Sequence, residues 1–254
     1  MSHRAIVNVA SDSWVKGQER LTAKLAEFGE DYVIWRDALP EGCPPHRTRG
    51  KLGAPTGCVP YAFKPYALNW ASLQGYTSLL WCDACILPIQ PLGGLWAKIE
   101  EDGIWFARNG YMNYEWTADS AYADLFHEKE LEINGLEACK AMNRTIPHVV
   151  ATAFGLDLRK PVARNFLSEY LRLAQTKAFC GPWQNSNAPN VAGRNADRVA
   201  GPCGPPDVSG HRHDQTAASV IAWRLGVHLT DPPKWFAYKG GEDETTVLLA
   251  DGVY

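Results

Sequence analysis

Apolar and polar positions alternate between two periods along this chain. Ala5 to Ala10, AIVNVA, is a short β-type run that ends in the polar trio Ser11-Asp12-Ser13. Gln18 to Phe28 places Leu21, Leu25 and Phe28 at helical spacing before Gly29 stops the pattern. Tyr32 to Trp35 (YVIW) reads as a second strand, and strand, helix, strand in that order predicts a right-handed crossover between parallel strands. Asp37 to Tyr61 has no periodicity and is rich in Gly, Pro and Cys, so a long irregular connection is expected. Ala62 to Leu73 has an apolar helical face made by Ala67, Trp70, Ala71 and Leu73. Thr77 to Ile86, TSLLWCDACI, is the strongest strand signal. A run apolar on both faces belongs in the middle of a sheet, and only Asp83 interrupts it.

Further on, Leu92 to Glu101 and Pro161 to Phe179 read as helices, and Ile104 to Ala107 and Val149 to Phe154 as strands. Gly181 to Gly210 is polar and rich in Gly, Pro and Asn, too long for a simple connector, and is expected to be a lid, a binding loop or disordered. Thr216 to Leu225 closes the set of helices, and Thr246 to Ala250 is a last short strand. No internal repeat is visible. The pattern predicts an α/β fold, a mostly parallel central sheet flanked by helices, in a single domain over residues 1–254 with an irregular or lid loop at about 181–210.

Composition narrows the function classes. With 254 residues, 46% hydrophobic and 21% charged, the chain is long enough to bury a large core without staples. A net charge of -3 argues against a general nucleic-acid binder. His46, Arg47, Arg49 and Lys51 form a local basic segment that reads as a solvated loop. Met1 to Ala10 lacks the features of a signal peptide, and no run approaches the roughly 18 apolar residues of a membrane-spanning helix. Seven cysteines, an odd number, then read as reduced thiols in the cytoplasm, where the sequon Asn143-Arg144-Thr145 is a chance match. Ten tryptophans suit a protein that handles carbohydrate, whose C–H faces pack on aromatic rings, but they are also ordinary core material.

Five groups of residues could carry chemistry. Asp83 is a carboxylate at the end of a central apolar strand, costly there unless it is paired, hydrogen-bonded or metal-bound. Ligands of open parallel sheets sit at that edge; the competing reading is an Asp that caps the next turn. Cys82 and Cys85 form a C-x-x-C with no second pair to complete a zinc site, so both read as core or near-site residues. His211-Arg212-His213-Asp214-Gln215 is a dense polar cluster before an apolar helix. Asp214 fits an N-cap or first-turn position, but that leaves the neighbouring His and Arg unexplained. Lys64, at a helix start, is either solvated or waits for an anionic ligand. Lys239-Gly240-Gly241 would let an ammonium and bare backbone approach a diphosphate. The G-x-G-x-x-G, P-loop, G-x-S-x-G and H-E-x-x-H patterns are all missing.

Phe63-Lys64-Pro65, a helix, Gly75-Tyr76, LLWCDACI and then Pro91-Leu92 resembles the nucleotide-sugar glycosyltransferases of the GT-A fold, in which a helix leads to a central strand ending in D-x-D. His213-Asp214-Gln215 opening a helix is similar to the Asp-Gln segment of retaining, family 8-like enzymes and of poorly characterised bacterial and viral relatives. The resemblance implies that Asp83 binds the donor ribose and a divalent cation, Mn²⁺ or Mg²⁺. By the same likeness Asp214 and Gln215 lie under the transferred sugar. Ser11, Asp12 and Ser13 would hold the nucleotide base, and His211 or His228 would be a late metal ligand. Lys64, Arg212 and Lys239 would meet the diphosphate charge if the metal is weak or absent. The departure is Cys85, which stands where D-x-D has its second Asp; a thiol suits softer metals than these. The implied activity is hexosyl transfer from a nucleotide diphosphate-sugar, a UDP-sugar first, to a hydroxyl acceptor such as a glycan, a small molecule or a modified nucleobase, with retention favoured. A nucleotidyltransferase and a degenerate, non-catalytic nucleotide- or sugar-binding protein are the alternatives.

Overall fold

A computed structural model describes residues 3–46, 57–189 and 200–252. Its strands are β1 (Arg4–Ala10), β2 (Tyr32–Arg36), β3 (Ser78–Cys82), β4 (Ile86–Pro88), β5 (Ile104–Met112), β6 (Pro147–Asp157), β7 (Gln184–Asn185), β8 (Ala200–Gly201), β9 (Trp235–Tyr238) and β10 (Thr246–Ala250). Its α-helices are α1 (Val15–Phe28), α2 (Phe63–Leu73), α3 (Gly93–Asp102), α4 (Tyr122–Leu125), α5 (Glu128–Asn134), α6 (Leu136–Asn143), α7 (Pro161–Ala174) and α8 (Asp214–Arg224). No helix among the described residues is long and apolar enough to cross a membrane.

The main sheet has five strands in the order β2-β1-β3-β6-β5. β1 runs parallel to β2 and β3, whereas β6 runs antiparallel to both β3 and β5. Four strands therefore point one way and β6 the other. The α/β class and the mostly parallel sheet follow the sequence pattern, and the fully buried β3 sits at the centre.

Alternation divides the core between the two faces. Val7, Leu79, Trp81, Ile104 and Phe106 pack with α2, α7 and α8 on one side. Ile6, Leu80, Cys82, Trp105 and Ala107 pack with α1 and α3 on the other, where the small sheet β4-β10-β9 also lies. Buried side chains on both faces make the interior strands read as continuous apolar runs.

Two departures from the sequence pattern shape the site. The strand expected over 77–86 ends at Cys82. A turn closed by Ile86 N donating to Asp83 O breaks it, and β4 leaves to pair with β10. Asp83 and Cys85 therefore do not share one extended strand. The second departure is a bulge in β6. Phe106 pairs with Phe154 but Arg108 pairs with Val149, so two steps on β5 span five on β6. The extra residues switch the side chains between faces, which is why Val149 and Phe154 both reach the α2–α7–α8 side. Inside this irregular stretch the Ala151 carbonyl, beside the end of β3, accepts from a side chain rather than from the ladder. Elsewhere the helix expected to reach Phe179 stops at Ala174, and a one-turn 3₁₀ segment covers Lys177–Phe179.

Candidate active site

The end of β3 delivers Asp83 to the edge of the sheet where β1 and β2 also end. Its backbone N–H donates to Thr152 O in the β6 bulge at 2.7 Å, and Trp81 Nε1 donates to Oδ1 at 2.7 Å. Lys64, in the first turn of α2, is 2% exposed and reaches the same point. Its Nζ lies 3.1 Å from Asp83 Oδ1, 2.9 Å from Asp214 Oδ2 and 2.8 Å from Ala151 O, the next carbonyl of the bulge. An ammonium has three N–H donors, and here they meet Asp214 Oδ2, Ala151 O and the Asp83 carboxylate, whose Oδ2 also lies 3.3 Å away. Of the two sequence readings for Lys64, the solvated one does not describe it. Its anionic partners are two carboxylates of this chain.

Asp214 is 4% exposed, at the first position of α8 rather than the N-cap, and Tyr170 of α7 donates its hydroxyl to Oδ2 at 3.3 Å. Burial raises the Asp214 carboxyl to about 6, with Asp83 adding to the shift and Lys64 opposing it. Burial works against the Lys64 ammonium, but Asp214 and Asp83 together outweigh it and hold the side chain charged. Removing Lys64 would leave two carboxylates without a counter-charge, which costs several kcal/mol, about 3–5.

Above this centre stands a pile of rings. Tyr61 stacks on His213 at 5.6 Å between centroids, and Trp183 lies 5.3 Å from the same imidazole. The Arg212 guanidinium lies over two indoles, 3.7 Å from the Trp116 ring centroid and 4.5 Å from that of Trp183. Tyr111 meets Trp116 edge-on at 5.6 Å and is half exposed, as is Tyr238 of β9, which is within electrostatic reach of Cys85 and Asp83. Stacked aromatics flanked by a fixed cation suit a ligand with flat or C–H-rich faces and negative charge. Left-handed backbone occurs at Asp12, Asp37, Tyr61 and His213, all beside this edge. For residues other than glycine such angles are uncommon and persist where the surroundings enforce them.

The remaining sequence candidates fall at several depths. Ser11, Asp12 and Ser13 are exposed at the end of β1, where Asp12 N donates to Asp37 Oδ1 at 3.0 Å and so ties together the loops after β1 and β2. Gln215 is half-buried in the first turn of α8, next to Asp214. Lys239 is linked to the site through Asp251. Its Nζ lies 2.6 Å from Asp251 Oδ1, and Asp251 N donates to Cys85 O. His211 is fully buried, with Nδ1 accepting from Ala118 N at 3.2 Å and Nε2 facing Ala178 O at 2.9 Å. Burial lowers it to about 4, so it is a neutral framework residue with both nitrogens engaged. His228 is exposed beyond the far end of α8, the end opposite Asp214. Of the basic segment only His46 is described, accepting from Tyr61 N at 3.1 Å; Arg47, Arg49 and Lys51 lie outside the described residues.

The residues around Asp83 do not fit Mn²⁺ or Mg²⁺. Such ions take about six oxygen ligands. Here the space between the two carboxylates holds an ammonium, and burial pushes the nearby Cys85 thiol up to about 12, leaving it neutral. No group of three His, Cys, Asp or Glu able to hold a metal occurs among the described residues.

The sequence pattern did not single out Tyr61, Trp116, Trp183 and Asp251, nor, above all, Tyr170. Each is brought in from a separate element without a local motif, and the high tryptophan count was the sole hint. The described parts of the expected lid are pinned by Asn185. Its buried amide donates to Gly204 O, Pro205 O and Val208 O at 3.2, 2.9 and 2.8 Å. A groove of about 520 Å³ between α2 and α7 opens near Gly75 and Thr77, at the opposite edge of the sheet from Asp83.

Fold and site together define a mixed α/β protein with a buried carboxylate–ammonium centre at the end of its central strand. No protein-family model matches the chain, and no curated protein matches it. Among solved structures it is similar to the bifunctional glycosyltransferase WbbM (TM-score 0.49, 11% identity, 98% of this chain), of which it spans 45%. It is also similar to mouse xyloside xylosyltransferase 1 (TM-score 0.49, 10% identity, 98% of this chain and 97% of that one). A third likeness is to the galactosyltransferase LgtC bound to donor and acceptor sugar analogues (TM-score 0.31, 14% identity, 91% of this chain and 98% of that one).

Proposed function

We propose that the protein transfers a glycosyl group from a nucleotide diphosphate-sugar, a UDP-sugar first, to a hydroxyl acceptor. The observation that carries this reading is the meeting of Asp83 and Asp214 on one ammonium at the sheet edge, from segments far apart in sequence. The motif resemblance gave these two residues adjacent roles, on the donor ribose and under the transferred sugar. Loops after β1 and β2 line the same edge, where Ser11, Asp12 and Ser13 would meet the base. The Arg212 guanidinium, packed over two indole rings, would receive the charge that develops on a leaving diphosphate. Half-exposed Tyr111 and Tyr238 offer faces for an acceptor sugar. Retention of configuration is the favoured outcome because Asp214-Gln215 matches retaining enzymes.

A second reading, a binding protein without turnover, is favoured by one feature: Cys85 leaves the turn after β3 a single carboxylate. Thermal unfolding against UDP, GDP, CDP, ADP and their sugars tests for the donor, and release of free nucleotide from the best ligand tests for turnover. A ligand at a hundredfold excess over its Kd stabilises by about 2.7 kcal/mol. Asp83→Asn is expected to lose that stabilisation and at least about tenfold in turnover while staying folded. Full activity in this variant would sink the assignment, and stabilisation without turnover would favour the binding protein.

A further inference from the structure

The resemblance calls for a divalent cation at Asp83, and the geometry points elsewhere. We infer that the Lys64 ammonium is the resident cation of the Asp83–Asp214 centre, so that this centre takes no divalent ion. The ammonium is in contact with both carboxylates, 3.1 Å from one and 2.9 Å from the other, and so takes the place beside them that a cation would need. Lys64 cannot swing aside cheaply. It is 2% exposed, its third N–H is bound to Ala151 O, and its charge lies 5.3 and 5.6 Å from the Tyr61 and Trp81 ring centroids. A divalent ion added beside it would face a fixed positive charge at close range in a poorly solvated site. One added in its place would leave an ammonium buried without partners.

The carboxylates are also committed. Asp83 Oδ1 accepts from Trp81 as well as facing Lys64, and Asp214 Oδ2 accepts from Tyr170 as well as Lys64. What the ammonium supplies is position: it locks carboxylates from β3 and α8 into one arrangement whether or not a ligand is present. Lys64 is thus a positioning residue. Under the transferase reading, on which only this last consequence rests, diphosphate charge falls to Arg212 and to Lys239 beside Asp251.

The test is a Mn²⁺ titration of the full chain, followed by the electron paramagnetic resonance of free Mn²⁺ and by thermal unfolding. The wild type is expected to show no saturable binding and no rise in Tm, and nucleoside diphosphate binding should be the same in EDTA as in Mn²⁺. Lys64→Ala removes the ammonium and leaves two carboxylates facing each other. It is expected to unfold at lower temperature and to recover with Mn²⁺, which it alone binds saturably. Saturable Mn²⁺ binding by the wild type that Asp83→Asn abolishes overturns the inference, and so does a folded Lys64→Ala that takes no Mn²⁺. Should Lys64→Ala not fold, the wild-type titration decides by itself. Nucleotide binding only with Mn²⁺ overturns the inference and keeps the transferase reading. Failure to bind any nucleotide overturns the transferase reading, while the Mn²⁺ titration still decides on the resident cation.

Discussion

Asp214 shares one ammonium with Asp83, and two carboxylates on one cation leave a net negative charge in a buried place. The more deeply buried of the two takes up a proton most readily, which is why its carboxyl rises to about 6. A group whose folded pKa is raised binds its proton more tightly folded than unfolded. Its contribution to stability is therefore full below about pH 4 and is lost as pH climbs through about 6, a change of roughly 3 kcal/mol for two pKa units. Urea unfolding of wild type and Asp214→Asn at pH 4.5 and 7.5 measures this as a difference, in which the other carboxylates cancel. The wild type should lose stability relative to the variant across that window, and a constant difference would contradict the assignment. At Arg212 the guanidinium lies over two indole rings, those of Trp116 and Trp183. Arg212→Ala is expected to weaken nucleoside diphosphate binding by about tenfold, or 1.4 kcal/mol. Arg212→Lys should recover little of it, because a compact ammonium does not stack. Calorimetric titration of the three proteins checks both statements.

At the scale of elements, the β6 bulge explains most of the site. Thr152 O continues the β3–β6 register by accepting from Asp83 N, while Ala151 O, inside the stretch where the β5–β6 pairing is irregular, accepts from Lys64 Nζ. The 181–210 segment depends on one side chain in the same way. Asn185 also accepts from Asn187 N and Cys203 N through Oδ1, so its amide fixes both arms of the segment. Asn185→Ala leaves several buried polar groups without partners and is expected to cost about 3 kcal/mol in urea unfolding. This segment carries Trp183 into the ring pile and leads directly to Arg212, so the variant should also bind nucleotide more weakly. A loss of stability with binding untouched would show that the segment does not position the pile.

For the whole molecule, stability rests on the two-faced sheet. Leu80 lies at its centre, fully buried against the α1 and α3 side. Leu80→Ala is expected to cost about 2–5 kcal/mol with no change in which ligands bind, as read by chemical denaturation and nucleotide titration. A comparable loss from truncating the exposed Leu73, which is 74% exposed, would contradict this account of the core. The two faces also set what approaches Asp83. From one side come Lys64, Tyr170 and Asp214, on α2, α7 and α8. From the other, the β4-β10-β9 sheet brings Tyr238, Lys239 and Asp251.

The sequence by itself determined the α/β class, the positions of α1, α2, α3, α7 and α8 to within a few residues, the central place of β3, and Asp83 as its exceptional residue. These are local properties: hydrophobic period, glycine stops, and one carboxylate in an apolar run. Tertiary structure alone decided what Asp83 is paired with. The cation that faces it comes from 19 positions earlier and the second carboxylate from the start of α8, far down the chain, on elements whose relative placement no local pattern encodes. The break after Cys82 and the bulge in β6 were hidden for a related reason. Both occur inside strongly apolar segments, where composition favours continuing the strand and only the pairing of distant partners makes a turn or an extra residue the lower-energy choice.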